Sequence, residues 1–293
     1  MTTAPSLKTW LRAAVSKLVE AGVDQADADA IWMACHVLQM TRGELEARAA
    51  TSDDPLDSDV VSQLEELLVR RCDREPLWHI LGQAPFLGME LHVGPGVFSP
   101  RPETELLAHT AITELLAMET LTGELTVWDI GAGSGAIGLA IARGVTHAHI
   151  TSVEPSDEAH AYLQKNIDRY GEGRVRLVKA LASEASDHVT PNSVDVVVSN
   201  PPYLIRESDW VDVETGNFDP DSALYAEDGG LAVMADVVAF AKEALRPGGV
   251  LLVEHGTTHN EPVATLLTRH GFGLISHHND LVGRPRITRA TKP

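Results

Sequence analysis

Trp128-Asp129-Ile130-Gly131-Ala132-Gly133-Ser134-Gly135-Ala136 closes an apolar run that begins at Thr126 and opens a helical pattern over Ala136–Ala142. A strand that turns through glycines into a helix is the opening unit of a parallel α/β sheet. Glycines there let the backbone turn sharply and let a ligand approach it closely. On these residues alone the turn is ambiguous. Gly131-x-Gly133-x-x-Ala136, with the acid Glu154 about 20 residues on, satisfies the dinucleotide fingerprint. A tight turn with no ligand is the plain alternative.

Outward from this loop the chain alternates strand and helix. Apolar, β-rich runs occur at Thr126–Ile130, His149–Glu154, Val175–Val178, Val194–Ser199, Val250–Glu254 and Gly273–Ser276. Helical patterns lie at Glu103–Met118, Ala136–Ala142, Asp157–Arg169, Leu231–Leu245 and Asn260–His270. The alternation predicts βαβ units, a largely parallel sheet and helices on both faces. Arg284–Thr288 is expected to close the sheet as an antiparallel edge strand.

Upstream the pattern changes. Leu7, Leu11, Val15 and Leu18, then Ala28, Ile31, Cys35 and Leu38, fall at helical spacing, and Val60–Val69 repeats it. Residues 1–82 read as a small helical domain without a catalytic group. Residues 83–101 read as a β-hairpin linker, with Glu90–Val93 and Val97–Phe98 as strands around the Gly94-Pro95-Gly96 turn. Residues 102–293 form the α/β domain, whose first helix starts at Ser99-Pro100-Arg101-Pro102-Glu103 with proline in its first turn.

Composition narrows the partners. The net charge is −19, with 8 Lys/Arg against 14 Asp/Glu in residues 1–82 and 15 against 28 in the rest. Phosphate binding wants clustered Lys and Arg, so direct contact with nucleic acid is not expected. No apolar run reaches the roughly 18–20 residues of a membrane span, and no secretory signal begins the sequence. Cys35 and Cys72 stand outside any metal or redox spacing, and the 13 histidines form no zinc spacing. A cytoplasmic protein without metal or membrane is the expectation.

A second signature decides the cofactor. Asp195-Val196-Val197-Val198-Ser199-Asn200-Pro201-Pro202-Tyr203 puts a polar-aromatic tetrapeptide at the carboxyl end of the fourth strand, where α/β sheets bind ligands. Taken alone, it could be a strand stopped by a proline turn. Chemistry gives it more meaning. A planar amide or exocyclic amine is a poor nucleophile with two N–H donors. The Asn200 side-chain oxygen and the Pro201 carbonyl can accept both, and proline adds no N–H of its own. Tyr203 can lie against the flat substrate group. The acid at Asp129 suits a cationic ligand better than a pyrophosphate. Together these point to S-adenosylmethionine and to methylation of an amino or amide nitrogen, either glutamine or a nucleobase. An oxidoreductase lacks any evident hydride-site residue. A module that merely holds the cofactor has no need of Asn200–Tyr203.

Arg74-Glu75-Pro76-Leu77, Ile80-Leu81-Gly82, Phe86-x-Gly88, Pro100-Arg101-Pro102-Glu103-Thr104-Glu105, the tetrapeptide, and Asp280-Leu281-x-Gly283-Arg284-x-Arg286 form a series along the chain. In it the sequence closely resembles the HemK/PrmC family of peptide-chain release factor glutamine methyltransferases. The resemblance implies a Rossmann-like class I S-adenosylmethionine-dependent methyltransferase sheet with a helical N-terminal domain. It implies methylation of the glutamine of a Gly-Gly-Gln motif in class-one release factors, by a chain expected to act as a monomer. Asn200, Pro201, Pro202 and Tyr203 would then hold the amide. Asp129, Gly131, Ala132, Gly133, Ser134 and Gly135 would wrap the methionine portion, and Glu154 the ribose hydroxyls. Phe98, Arg101, Glu103 and Thr104 would line the methionine end, and Asp219-Pro220 to Ala223-Leu224 would cover the site. The helical domain would help grip the release factor. Many relatives carry an acid after the third strand that bonds the adenine amine. Here Lys179-Ala180-Leu181-Ala182 offers none, which leaves backbone groups around Leu181. His255 stands where an apolar residue is expected, and a structural role is assigned to it.

Overall fold

The computed structural model describes residues 4–206, 208–209 and 211–293, apart from the side chains of residues 119–122. The chain divides into two units. One comprises residues 1–82 together with Asp212–Phe218, the other Gln83–Val211 with Asp219–Pro293. The hairpin read as a linker therefore belongs to the second unit, and a short piece of the α/β region belongs to the first.

The first unit is built on α1 (Leu7–Glu20), α2 (Ala26–Leu38), α3 (Arg42–Thr51), α4 (Ser58–Cys72) and α5 (Leu77–Leu81). The Ser6 side chain caps α1, and a Thr41/Glu44 capping box starts α3. Trp10, Leu18, Met33, Leu45, Leu64 and Leu68 are fully buried in one core. Helices α3 and α5 escape the periodicity for plain reasons. Only Leu45 of α3 is buried, so it shows no stripe, and α5 is five residues long.

Arg71 crosses this core as a buried cation. Its guanidinium donates to Asp29 Oδ2 at 2.7 Å, to the Glu75 carbonyl at 3.1 Å and to Glu214 Oε1 at 2.9 Å. Arg74 grips the same glutamate through both its oxygens, at 2.7 and 2.6 Å. Glu214 sits on α9 (Val213–Phe218), so these ion pairs hold Asp212–Phe218 in the first unit. Burial alone would raise the Glu214 pKa. The hydrogen bonds from Arg74 and Arg71 outweigh it and hold the group at about 2.

In the second unit β1 (Gln83–Phe86) and β2 (Met89–His92) pair antiparallel. The hairpin turns at Leu87-Gly88, not at Gly94-Pro95-Gly96, and Val97–Phe98 is not a strand. Leu87 and Gly88 both take positive φ, the two-residue turn that matches strand twist. The glycines further on fit close approaches instead, since a Cβ at Gly94 would stand 2.4 Å from the Tyr162 hydroxyl.

The main sheet contains β3 (Leu125–Ile130), β4 (Ala148–Val153), β5 (Val175–Val178), β6 (Val194–Ser199), β7 (Leu245–Glu254), β8 (Gly273–Asn279) and β9 (Pro285–Thr291), in the order β5-β4-β3-β6-β7-β9-β8. The first five run parallel, and β9 pairs antiparallel with both β7 and β8. The strand expected at the edge is thus interior. Ile287, Thr288 and Ala290 of β9 are buried, whereas most of β8 is partly or fully exposed, so burial places β8 outermost.

Strand alternation splits the core in two. Leu125, Val127, Val196, Val198, Val250 and Leu252 pack on the face covered by α6 (Pro102–Thr122) and α7 (Ala136–Gly144). Trp128, Ile130, Val197, Leu251 and Val253 pack on the opposite face, against Phe240 of α10 (Ala232–Ala244) and Val263 and Leu267 of α11 (Asn260–Arg269). Helix α8 (Asp157–Tyr170) carries Asn166, which is fully buried. Its carboxamide accepts from His92 N–H at 2.7 Å and donates to the His92 and Ser134 carbonyls at 3.0 and 2.9 Å. One side chain thereby fixes the end of the hairpin and the glycine loop. Replacing it with alanine leaves three backbone groups, one buried and two partly buried, without that partner, at up to about 1–3 kcal/mol each before relaxation. We expect Asn166→Ala to lower unfolding free energy by roughly 2–4 kcal/mol in urea titrations. A loss below ~1 kcal/mol would show that these groups find other partners.

Candidate active site

The order of the sheet reverses between β3 and β6, and this is where α/β sheets open a ligand crevice. Ile130 and Ser199, the last residues of the two strands, lie side by side, and the Ser199 hydroxyl donates to the Ile130 carbonyl at 2.7 Å. The glycine loop and Asn200 leave from these two ends.

Backbone bonds hold the loop. Gly131 and Ala132 N–H both reach the Val153 carbonyl, at 2.8 and 2.9 Å, and Gly133 N–H reaches Glu154 Oε2 at 2.8 Å. Gly135 begins α7 at φ +86°, and a Cβ there would stand 2.5 Å from Leu163 Cδ1. At Gly131 and Gly133 a Cβ would meet nothing within 4 Å, so the outer side of the loop is open. Ser134 is buried, and Ala132 is 9% exposed.

Glu154 is buried at the end of β4, one oxygen held by Gly133 N–H and the other by Ser156 N–H at 2.9 Å. Burial raises its pKa, and those two N–H groups oppose the rise. Each carboxylate oxygen keeps further acceptor capacity, which suits a ribose diol. Asp129 has a different setting. It is fully buried and accepts Gly138 N–H in the first turn of α7 at 3.0 Å. Its side chain therefore serves the helix start, and burial pushes its pKa up to about 7. Leu181 is half exposed, and its N–H is engaged by Glu184 Oε2 at 3.2 Å.

On the β6 side, Asn200 Nδ2 donates to Thr104 Oγ1 at 3.2 Å. Thr104 lies in the first turn of α6, as the Pro-Arg-Pro-Glu start predicts, with Pro102 at N1 and Arg101 as the preceding cap. The Arg101 guanidinium lies 5.1 Å from the Phe98 ring centroid and bonds Asp219 Oδ2 at 3.1 Å. Pro201 is buried and Pro202 half-buried. Tyr203 has its pKa pushed to about 12, by burial first and then by the charge of Glu254, so its phenol stays neutral. Directly after it, Leu204 N–H bonds the Leu224 carbonyl at 2.9 Å and Ala226 N–H the Leu204 carbonyl at 3.0 Å. The Asp219–Leu224 stretch is thus fastened beside the tetrapeptide.

Two residues at this edge escape the sequence reading. Glu254 ends β7, is 3% exposed, faces Glu103, Thr104, Tyr203 and Arg286, and has its pKa raised by burial to about 7. A lone acid closing an apolar parallel strand was the available signal. His259 lies 6.3 Å from the Tyr203 ring and its Nε2 contacts the Gly229 carbonyl at 3.0 Å. Nothing local marks it. His255 is fully buried between the Gly256 carbonyl and the Thr288 hydroxyl, as a structural residue.

A glycine loop on one strand and Asn-Pro-Pro-Tyr on its neighbour, meeting at the reversal of a class I sheet, define an S-adenosylmethionine-dependent methyltransferase. Residues 88–233 match the methyltransferase small domain, and residues 9–82 match the PrmC N-terminal domain. Release factor glutamine methyltransferases of Streptomyces coelicolor and Mycolicibacterium smegmatis are each 37% identical to this chain. The alignments cover 95% of both chains in the first case and 98% of both in the second. The chain belongs to the release factor glutamine methyltransferase family. A T. Thermophilus 16S rRNA methyltransferase solved with AdoMet and guanosine superposes at a TM-score of 0.50 and 26% identity, over 72% of this chain and 50% of that one.

Asp129 gives a pH test. A carboxyl at about 7 when folded, against 3.8 as its ordinary value, keeps its proton in the native state while the unfolded state loses it. Its contribution therefore falls as pH rises from about 4 to about 7. Relative to Asp129→Asn, wild type should lose on the order of 3 kcal/mol across that window in denaturant melts. Parallel stability curves for the two proteins would mean that Asp129 is not buried in this way.

Proposed function

We propose that this protein transfers the methyl group of S-adenosylmethionine to the side-chain amide nitrogen of the glutamine in the Gly-Gly-Gln motif of class-one release factors. The observation that carries this reading is the Asn200–Thr104 hydrogen bond. With Nδ2 turned to Thr104, Asn200 Oδ1 is left to accept one substrate N–H, and the Pro201 carbonyl accepts the other. Tyr203, neutral and half-buried, supports the plane of the amide. When bound, S-adenosylmethionine would supply an electrophilic methyl on a sulfonium, and breaking that S–CH3 bond would leave S-adenosylhomocysteine. The nitrogen would gain the methyl and give up one proton to solvent, so the residues contribute chiefly placement, worth up to roughly 7–11 kcal/mol in favourable systems.

The cofactor fits the residues present. Gly131–Gly135 offer an open backbone, Glu154 a carboxylate for the ribose hydroxyls, and Phe98, Arg101, Glu103 and Thr104 stand at the methionine end. Leu181 is the position assigned to the adenine. Asp129 supports the loop from beneath through α7. Nucleobase methylation shares the tetrapeptide, but similarity of residues 9–82 to the PrmC N-terminal domain and the net charge of −19 favour the protein substrate.

The test is mass spectrometry of purified release factor and of RNA after incubation with this protein and labelled S-adenosylmethionine. Label on the Gly-Gly-Gln glutamine supports the reading, and label on nucleic acid alone overturns it. Asn200→Ala should fold and bind S-adenosylmethionine with little change while losing at least about 100-fold in kcat. Full turnover in that variant would remove Asn200 from the amide site. Glu154→Ala should instead weaken cofactor binding by about 1.5–3 kcal/mol per lost hydrogen bond. An unchanged dissociation constant by calorimetry would put the ribose elsewhere.

A further inference from the structure

His259 is buried beside Tyr203, and the proposed reaction leaves it without a task. A short turn puts it there. Its N–H donates to the Gly256 carbonyl at 2.9 Å, closing a four-residue turn between β7 and α11. Its carbonyl accepts Val263 N–H at 2.9 Å as that helix begins. The turn folds the imidazole back over Gly256. Nε2 lies 3.0 Å from the Gly229 carbonyl, and a carbonyl only accepts, so Nε2 carries the ring proton. Nδ1 is buried and has no hydrogen-bond partner among the described residues. One hydrogen bond and close packing therefore orient the ring.

Two glycines make that packing possible. A Cβ on Gly256 would stand 2.7 Å from His259 Nδ1 and 3.4 Å from Tyr203 Cδ2. A Cβ on Gly230 would stand 2.8 Å from His259 Nε2 and 2.2 Å from the Tyr203 carbonyl oxygen. The imidazole thus fills a slot with bare glycine backbone at each ring nitrogen, and both close approaches extend to Tyr203. The two ring centroids are 6.3 Å apart with the planes tilted by 52°, inside the range of aromatic pairs. Past Tyr203 the backbone is already fixed, because Leu204 bonds the Leu224 carbonyl and Ala226 N–H. What remains to be set is the angle of the phenol ring, and His259 and Gly256 are what the ring leans on.

We propose that His259 is a positioning residue for the methyl transfer: seated between Gly230 and Gly256, its ring fixes the angle at which Tyr203 meets the substrate amide. This rests on the reading of Tyr203 as the face against which the amide lies. His259 does not touch the substrate in this scheme. It acts through Tyr203, because a tilted phenol carries the amide nitrogen off the line to the sulfonium methyl. A misplacement of about 1 Å in such an arrangement can cost on the order of 100-fold in rate.

The test is a double-mutant cycle on the full-length protein with whole release factor and S-adenosylmethionine. His259→Ala should lose about 10–100-fold in kcat while KM and the S-adenosylmethionine dissociation constant stay within about threefold. In a Tyr203→Ala background the same substitution should change the single-turnover rate by less than about twofold, since the ring it positions is gone. A purely structural role predicts a lower melting temperature and the same fold-loss in both backgrounds. Wild-type kcat in His259→Ala, or an equal loss with and without Tyr203, overturns the proposal. If His259→Ala does not fold, the cycle is run with Gly256→Ala, which pushes the imidazole without removing it, and the same two outcomes decide. Tyr203→Ala alone separates the two readings. If it turns over like wild type, the amide-site reading fails; if it is impaired while His259→Ala is fully active, only the role of His259 fails.

Discussion

Where β3 and β6 lie side by side, the sheet order reverses, and their following connections depart in opposite directions. The ends of both strands therefore open onto one crevice. Everything chemical in this protein depends on that constraint. It brings Gly131 and Asn200, far apart in the chain, to neighbouring strand ends. The Ser199 hydroxyl on the Ile130 carbonyl then locks the two ends in register. A glycine loop on one strand and an amide-binding turn on the next can cooperate only if their separation is fixed. Five parallel strands with apolar residues on both faces provide the stiffness, because neither face can slip without burying polar atoms.

The crevice is held by polar side chains that are themselves buried, and this carries a cost that the hydrogen bonds must offset. Asp129, Glu154, Asn166, Thr104 and Glu254 are all below 9% exposure. Two of these acids bind backbone N–H groups: Glu154 fixes the loop at Gly133, and Asp129 fixes the first turn of α7. Glu254 differs, since its Oε2 is buried and has no hydrogen-bond partner among the described residues. A carboxylate on backbone N–H groups builds the scaffold.

Much of this was legible in the sequence, and the reasons are local. The parallel strands announce themselves as continuous apolar runs, and Val194–Ser199 and Thr126–Ile130 were placed within a residue or so. The start of α6 was legible because Pro102 and Glu103 are explicit first-turn residues. What escaped lacks local marks. The hairpin turn at Leu87-Gly88 was misplaced because Gly94-Pro95-Gly96 carries a stronger turn signal but serves close packing against Tyr162 and Glu158. Strand β9 was set at the edge because chain order suggested it, while burial of Ile287 and Ala290 decides otherwise. The neighbours of Glu254 and the partners of Asn166 come from distant segments, which no window of sequence contains.

The piece at Asp212–Phe218 shows the same limit with a larger consequence. Sequence order assigns it to the α/β domain, since it lies between Tyr203 and Asp219. Ion pairs decide differently, because Glu214 meets Arg71 and Arg74, and Arg71 also pairs with buried Asp29. On either side of this piece the chain is fastened within the second unit, by the Leu204–Leu224 backbone bond and by Arg101 on Asp219. Asp212–Phe218 thus belongs to the first unit, while the residues on either side of it belong to the second. Breaking a buried pair by removing one partner typically costs about 3–5 kcal/mol, because the remaining charge is left uncompensated. Residues 1–82 therefore cannot be removed as an independent module without leaving Glu214 unpaired from both arginines.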